Sequence, residues 1–113
     1  MPRLKSEIFV SALLRCVFAD GGFAAVEHRG EASAGAIFIK QRNRLGLVTL
    51  AGPAPQTAFE DGEEKGRKFE LRLVDADEQA VAAQMDRERR FDPDLWLVEL
   101  ECDRELANYI ELA

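Results

Sequence analysis

A proline sets the frame. Pro93 lacks a backbone donor and pushes Asp92 out of helical angles, so a helix running up to Arg90 must end near Phe91. Directly after it stands the most strongly written strand of the chain. Trp96, Val98, Leu100 and Cys102 share one face at period two, and Leu95 and Leu97 occupy the other, followed by Glu99 and Glu101. Such a segment is buried on both sides where it starts and on one side where it ends. That describes an interior strand covered by helices, headed by the chain's single tryptophan.

The remaining segments arrange themselves around it. Ser6 is positioned to cap a helix from Glu7 to about Ala19. Its broad buried face would be Ile8, Phe9, Ala12, Leu13, Cys16 and Val17, with Ser11 and Arg15 on the wet side. Gly21-Gly22 ends it. Phe23 to Arg29 reads as a short strand, and residues 30–34 as a loop. Gly35 to Gln41 and Leu45 to Ala51 read as two strands of a hairpin with Asn43 in its turn. Gly52-Pro53-Ala54-Pro55 should stop the second strand, because proline cannot donate to a ladder. Gln56 to Lys65 is polar and acidic, the pattern of a long surface loop. Arg67 to Val74 is a strand with Phe69, Leu71 and Leu73 inward. Asp75 and Glu78 suggest a capping pair for a helix from Ala76 to about Arg90, with a modest stripe of Ala80, Val81, Ala83 and Met85. At the C-terminus, Asn108 to Leu112 suits an edge strand, and Glu105-Leu106-Ala107 suits a short helix. The sum is an α+β chain, one domain over residues 1–113: a mainly antiparallel sheet of five or six strands with two principal helices packed on it.

Hydrophobic residues make up 47% of the 113, enough for a core that needs neither metal nor disulfide. Cys16 and Cys102 lie in apolar runs without a partner at metal spacing, which reads as two buried thiols in a reducing compartment. The charge is uneven: 7 basic against 4 acidic residues in 1–59, and 8 against 17 in 60–113, for a net −6. An acidic chain is a poor general binder of nucleic acid. The apolar run Ile8 to Ala19, broken by Ser11 and Arg15, is too short to span a membrane. Glu7 and Arg15 also spoil it as a signal peptide. A soluble cytoplasmic protein is the expectation.

The chain resembles an alphaproteobacterial family of short conserved proteins classed as a domain of unknown function. The resemblance is carried by Arg3 to Ile8 with Val10-Ser11-Ala12, Ala34 to Ile37 with Lys40, Gly52 to Gln56, and Phe91 to Trp96. Where members often have a glycine near the C-terminus, this chain has Asp103-Arg104-Glu105-Leu106. That departure argues against a tight hairpin there. The resemblance implies an alphaproteobacterial, cytoplasmic protein and brings no activity with it.

No motif carries catalysis or a cofactor. His28 is the sole histidine and has no partner at catalytic or ligand spacing; an ordinary strand-end residue explains it. No serine occupies a nucleophile elbow and no Gly-rich phosphate loop follows a strand. Asp92, Asp94 and Glu99 faintly resemble the acidic pattern of metal-dependent nucleases, but Glu101 stands where such sites place lysine. Turn chemistry accounts for Asp92-Pro93-Asp94 more simply. Arg15, Arg29, Lys40, Gln56 and Asp92 lie at segment ends that could converge beside the proline turn to hold a small anion or an acidic segment. Scattered surface charge is the plainer account of them. The expected function is therefore a non-catalytic binding or protein-interaction module, acting on an unknown protein partner or self-associating through a sheet edge or the first helix. The alternative is a small metal-dependent hydrolase or nuclease using Asp92, Asp94 and Glu99.

Overall fold

The computed structural model describes residues 4–55 and 67–113. Gln56 and the loop expected up to Lys65 lie outside the described residues. The elements are α1 (Ser6–Ala19), β1 (Phe23–His28), β2 (Ile37–Arg42), β3 (Val48–Pro53), β4 (Lys68–Ala76), α2 (Glu78–Phe91), β5 (Trp96–Glu101), a 3-10 turn (Leu106–Asn108) and β6 (Glu111–Leu112). Six strands form one sheet in the order β1-β5-β2-β3-β4-β6. The sheet is mixed. Three pairs are antiparallel, while β2·β5 and β4·β6 are parallel. The parallel β2·β5 pair follows from the crossover: the chain returns through α2, and β5 is inserted between β1 and β2.

β5 is the interior strand that its pattern requires. Ile37 stands opposite Trp96 and Arg42 opposite Glu101 on one side, with β1 antiparallel on the other. Trp96 is 1% exposed. Trp96, Val98 and Leu100 pack with Val10, Leu13 and Val17 of α1. Leu95 and Leu97 pack on the opposite face with Val81 and Met85 of α2. Glu99 is half-buried and Glu101 exposed, so double burial does fade along the strand.

Several local expectations need correcting. Ser6 is not the cap of α1. Lys5 is, without a side-chain hydrogen bond. The first-turn amides are satisfied by another loop: Ser6 N–H donates to Ser33 O (3.1 Å) and Glu7 N–H to Ala32 O (2.9 Å). The fully buried Ser6 hydroxyl donates to Gly35 O (2.6 Å) and accepts from Arg67 Nη2 (2.9 Å). The buried face of α1 is Ser6, Val10, Leu13 and Val17. Ile8 and Cys16 are exposed, because a helix apolar nearly all round does not by its pattern alone fix which stripe turns inward. Cys16 and Cys102 are free thiols, exposed and part-buried, rather than two buried ones. Asp77, not Asp75, caps α2, its carboxylate accepting from Ala80 N–H (2.8 Å). Asp75 instead belongs to β4 at φ +49°, and Ala80 and Ala83 face solvent. Leu71 is also exposed although it keeps the face of Phe69, and the register shifts beyond it turn Leu73 to the α2 side.

The proline motif at 52–55 does join the ladder. Gly52 pairs with Glu70 and Pro53 with Phe69. Proline lacks only the donor, and the Pro53 carbonyl accepts from Arg72 Nη2 (2.8 Å). The hairpin turn behaves as expected: Asn43 Oδ1 accepts from the amides of Leu45 and Leu47, with Gly46 at φ +82°. At the C-terminus both readings hold in part, a 3-10 turn and then a two-residue strand beside β4.

Trp96→Ala is expected to cost about 3–5 kcal/mol, the range for truncating a large buried aromatic. The denaturation midpoint measures it, and an unmoved midpoint contradicts this placement.

Candidate functional site

β1 ends the sheet on one side, so its outer backbone groups have no strand partner among the described residues. α1 runs antiparallel to it, held by the Gly21-Gly22 turn, in which Gly21 takes φ +85°. The inward stripe of α1 is Val10, Leu13 and Val17, which leaves Ile8, Ser11, Arg15 and Phe18 as a second stripe at helical spacing. Ile8 and Phe18 are about half-exposed, as are Leu4 and Phe23, and Val26 is exposed beside them. Phe18 stacks edge-on to Phe23, ring centroids 6.1 Å apart, at one end of this strip. At the other end a groove of about 360 Å³ lies between α1 and β1, lined by Ile8, Val10, Ser11, Leu14 and Val26 and reaching Trp96. Glu7 and Arg29 flank it, 3.5 Å apart, and Arg29 lies 5.0 Å over the indole.

The opposite end of the sheet is guarded differently. β6 covers the start of β4, and two register shifts and the left-handed Asp75 disturb the rest. β1 carries one shift, between Val26 and His28. His28 closes it, Nδ1 donating to Leu95 O (2.9 Å), the strand-end role expected of it.

The five residues expected to form an anion site are placed as follows. Arg15 is exposed on the outer stripe of α1, and Arg29 is at the groove. Lys40 is buried, 2.8 Å from Glu27. It alternates with Ile39 on β2 and so belongs to the α2 side of the sheet. Asp92 closes its own turn, accepting from Asp94 N–H (3.1 Å). Gln56 lies outside the described residues. Arg15 and Arg29 thus share the α1 side, and Lys40 and Asp92 are engaged elsewhere. The acids of the nuclease-like pattern are likewise dispersed. Asp92 and Asp94 form the turn, while Glu99 accepts from Arg42 (2.9 Å) further along β5. Among the described residues no three or more His, Cys, Asp or Glu side chains gather as a metal would need.

Two carboxylates are held below their ordinary range. Glu31 accepts from the amides of Ser33 (3.1 Å) and Ala34 (2.7 Å), which lower its pKa, with a further contribution from Lys5. Glu78 is lowered by its hydrogen bonds from Arg42, whose own pKa is raised in return. Both acids are exposed, so solvent screens the effect.

Sequence reasoning had placed Ile8 on the buried face and had not singled out Phe18 or Val26 as exposed. The available signal was arithmetic: once one apolar stripe of α1 is assigned inward, a second one remains.

What these features define is a class: an α+β protein whose two helices sandwich one mixed sheet, with an outermost strand whose margin carries exposed apolar side chains. The chain belongs to the family described as "Protein of unknown function (DUF1491)", which matches residues 4–111. It is similar to the Atu0922 protein of A. tumefaciens, solved in solution, at 53% identity and a TM-score of 0.87, over 98% of this chain and 95% of that one. It is also similar to a DUF1491 family protein from Caulobacter crescentus CB15, whose crystal structure is 30% identical with a TM-score of 0.77, over 97% of each chain. An NMR structure of a DUF1491 family protein from that organism gives 0.76 at 30% identity, over 97% of this chain and 96% of that one. No curated protein matches the chain. No helix among the described residues is long and apolar enough to cross a membrane.

A carboxylate whose folded pKa is depressed stabilises the fold above its unfolded value and loses that contribution as pH falls through the folded value. The melting midpoint should therefore drop on acidification below about pH 4.5, the ordinary value for Glu31 and Glu78. A Glu31→Gln variant should show a shallower acid limb, and a limb parallel to the parent's would contradict the assignment.

Proposed function

We propose that the protein is a non-catalytic interaction module whose docking surface is the outer edge of β1 with the outer stripe of α1. The observation that carries this is the distribution of exposed large apolar side chains. Of the nine among the described residues, five (Leu4, Ile8, Phe18, Phe23 and Val26) fall on the chain leading into α1, on α1 itself or on β1. Contiguous exposed apolar surface beside polar groups marks docking sites. An edge strand adds main-chain hydrogen bonding to it. The free thiols, one of them exposed, suit a reducing cytoplasm. The net charge of −6 argues against nucleic acid as the partner.

A photo-reactive amino acid placed at Phe18 or Phe23 should form a cross-link in the native cell. At Phe91, which is 90% exposed at the end of α2, it should form none. Equal labelling from Phe91, or none from Phe18 and Phe23, would contradict the proposal.

A further inference from the structure

Separately from the docking strip, we infer that the groove between the last turn of α2 and the end of β1 binds a phosphate group, held by Arg89 and Arg90 and sharing a proton with His28. The groove measures about 400 Å³ and is lined by His28, Asp86, Arg89, Arg90 and Pro93. Pro93 stops α2 just beyond this turn, so the two arginines project at the helix end beside the proline turn.

Both arginines are exposed and uncommitted. Among the described residues Arg29, Arg42, Arg44, Arg72 and Arg104 each face a carboxylate, and Arg87 donates to the Gln84 amide oxygen. Arg89 and Arg90 have no such partner among the described residues, although Asp86 stands one helical turn back on the same groove. Open guanidinium groups bind oxyanions, phosphate among them, through paired N–H donors.

His28 supplies the discrimination. Its Nδ1 faces Leu95 O at 2.9 Å. A carbonyl only accepts, so a ring proton sits on Nδ1. The Nε2 edge is the one left to the groove, and in the neutral ring it is a bare acceptor. Local charge decides what it takes. Two guanidinium groups stand against one carboxylate and about half a negative charge at the C-terminus of α2. The remaining half of a positive charge, roughly, is too little for a dianion beside a neutral ring. A phosphate brings its own proton, since its second ionisation falls near pH 6. Its P–OH donates to Nε2 while its charged oxygens accept from the arginines, or the proton passes to the ring and leaves an imidazolium beside a dianion. Protons and charges balance in both arrangements. A simple carboxylate has no proton to lend at that pH.

Inorganic phosphate and glycerol 3-phosphate, titrated separately into the full chain at about pH 6 and constant ionic strength, test this. Calorimetry reads the affinity, and the ring resonances of His28, the sole histidine, report the place. Both compounds should shift those resonances, and acetate at the same concentration should not. Arg89→Gln and Arg90→Gln should each weaken binding about tenfold, with an unchanged circular dichroism spectrum because both side chains are exposed. His28→Asn, which keeps a donor for Leu95 O and removes Nε2, should weaken it as much. Arg87→Gln, a change outside the groove, should leave it unaltered. Tighter binding of glycerol 3-phosphate assigns the groove to a phosphate ester, and equal or tighter binding of inorganic phosphate assigns it to the free ion. No response to either compound overturns the inference. So does binding that survives both arginine substitutions, or acetate binding as tightly as phosphate. Cross-linking from Phe18 and Phe23 tests the docking strip independently of all these outcomes.

Discussion

The indole of Trp96 is the contact around which the fold is assembled. Its ring is removed from water between α1 and the sheet, and its Nε1–H donates to Glu31 O (2.8 Å). Its own amide donates to Ala36 O (2.7 Å), starting the parallel pairing of β5 with β2. A buried indole must find an acceptor or lose the free energy of an unmet donor. The residue therefore fixes the 31–35 loop as well as filling the core. That loop in turn supplies the acceptors for the first turn of α1, through Ala32 O and Ser33 O, and Gly35 O receives the Ser6 hydroxyl. One aromatic side chain thus ties β5, the loop and the start of α1 into one arrangement. Gly30 and Gly35 allow it, since a side-chain carbon at either would meet Asp94 O at 2.2 or 2.5 Å.

From that arrangement the exposed edge follows. Inserting β5 between β1 and β2 leaves β1 outermost. The Gly21-Gly22 turn holds α1 along the same margin, so whatever α1 does not bury is displayed beside an open strand. The other face of the sheet reaches this margin as charge rather than as apolar surface. Lys40 pairs with Glu27, and Arg42 joins Glu78 and Glu99. These pairs satisfy strand residues that α2 leaves uncovered. On the α2 side β1 contributes Glu27 to these pairs.

Much of this was legible in the residues. Pro93 with the alternation from Leu95 to Leu100 specified an interior strand with different partners on its two faces, because a period of two leaves no freedom about which residues share a side. The hairpin at Asn43 was equally direct, since its side chain satisfies the turn amides itself. Failures came where tertiary contact outweighs local pattern. Ser6 looked like a cap, but its hydroxyl is drawn to Gly35 and Arg67, which are distant in sequence. α1 is apolar on most sides, so its inward stripe was set by Trp96 and Val98 rather than by its own periodicity. Asp75 was read as the cap of α2, but β4 runs on through it to Ala76, and Asp77, two residues later, takes that role. The exposed stripe of α1 proposed as a docking surface was hidden for the same reason: it is what remains of an ambiguous helix after the core has chosen its share.

Native-state hydrogen exchange of the Trp96 indole proton tests the central claim most directly. The proton is donated to a backbone carbonyl on the loop that anchors α1. The expected result is exchange as slow as the amide of Val98 in the middle of β5, opened only by global unfolding. Exchange at the rate of an open loop, with the Val98 amide still protected, would contradict it, because the 31–35 loop would then be detaching from the tryptophan while the sheet stays intact.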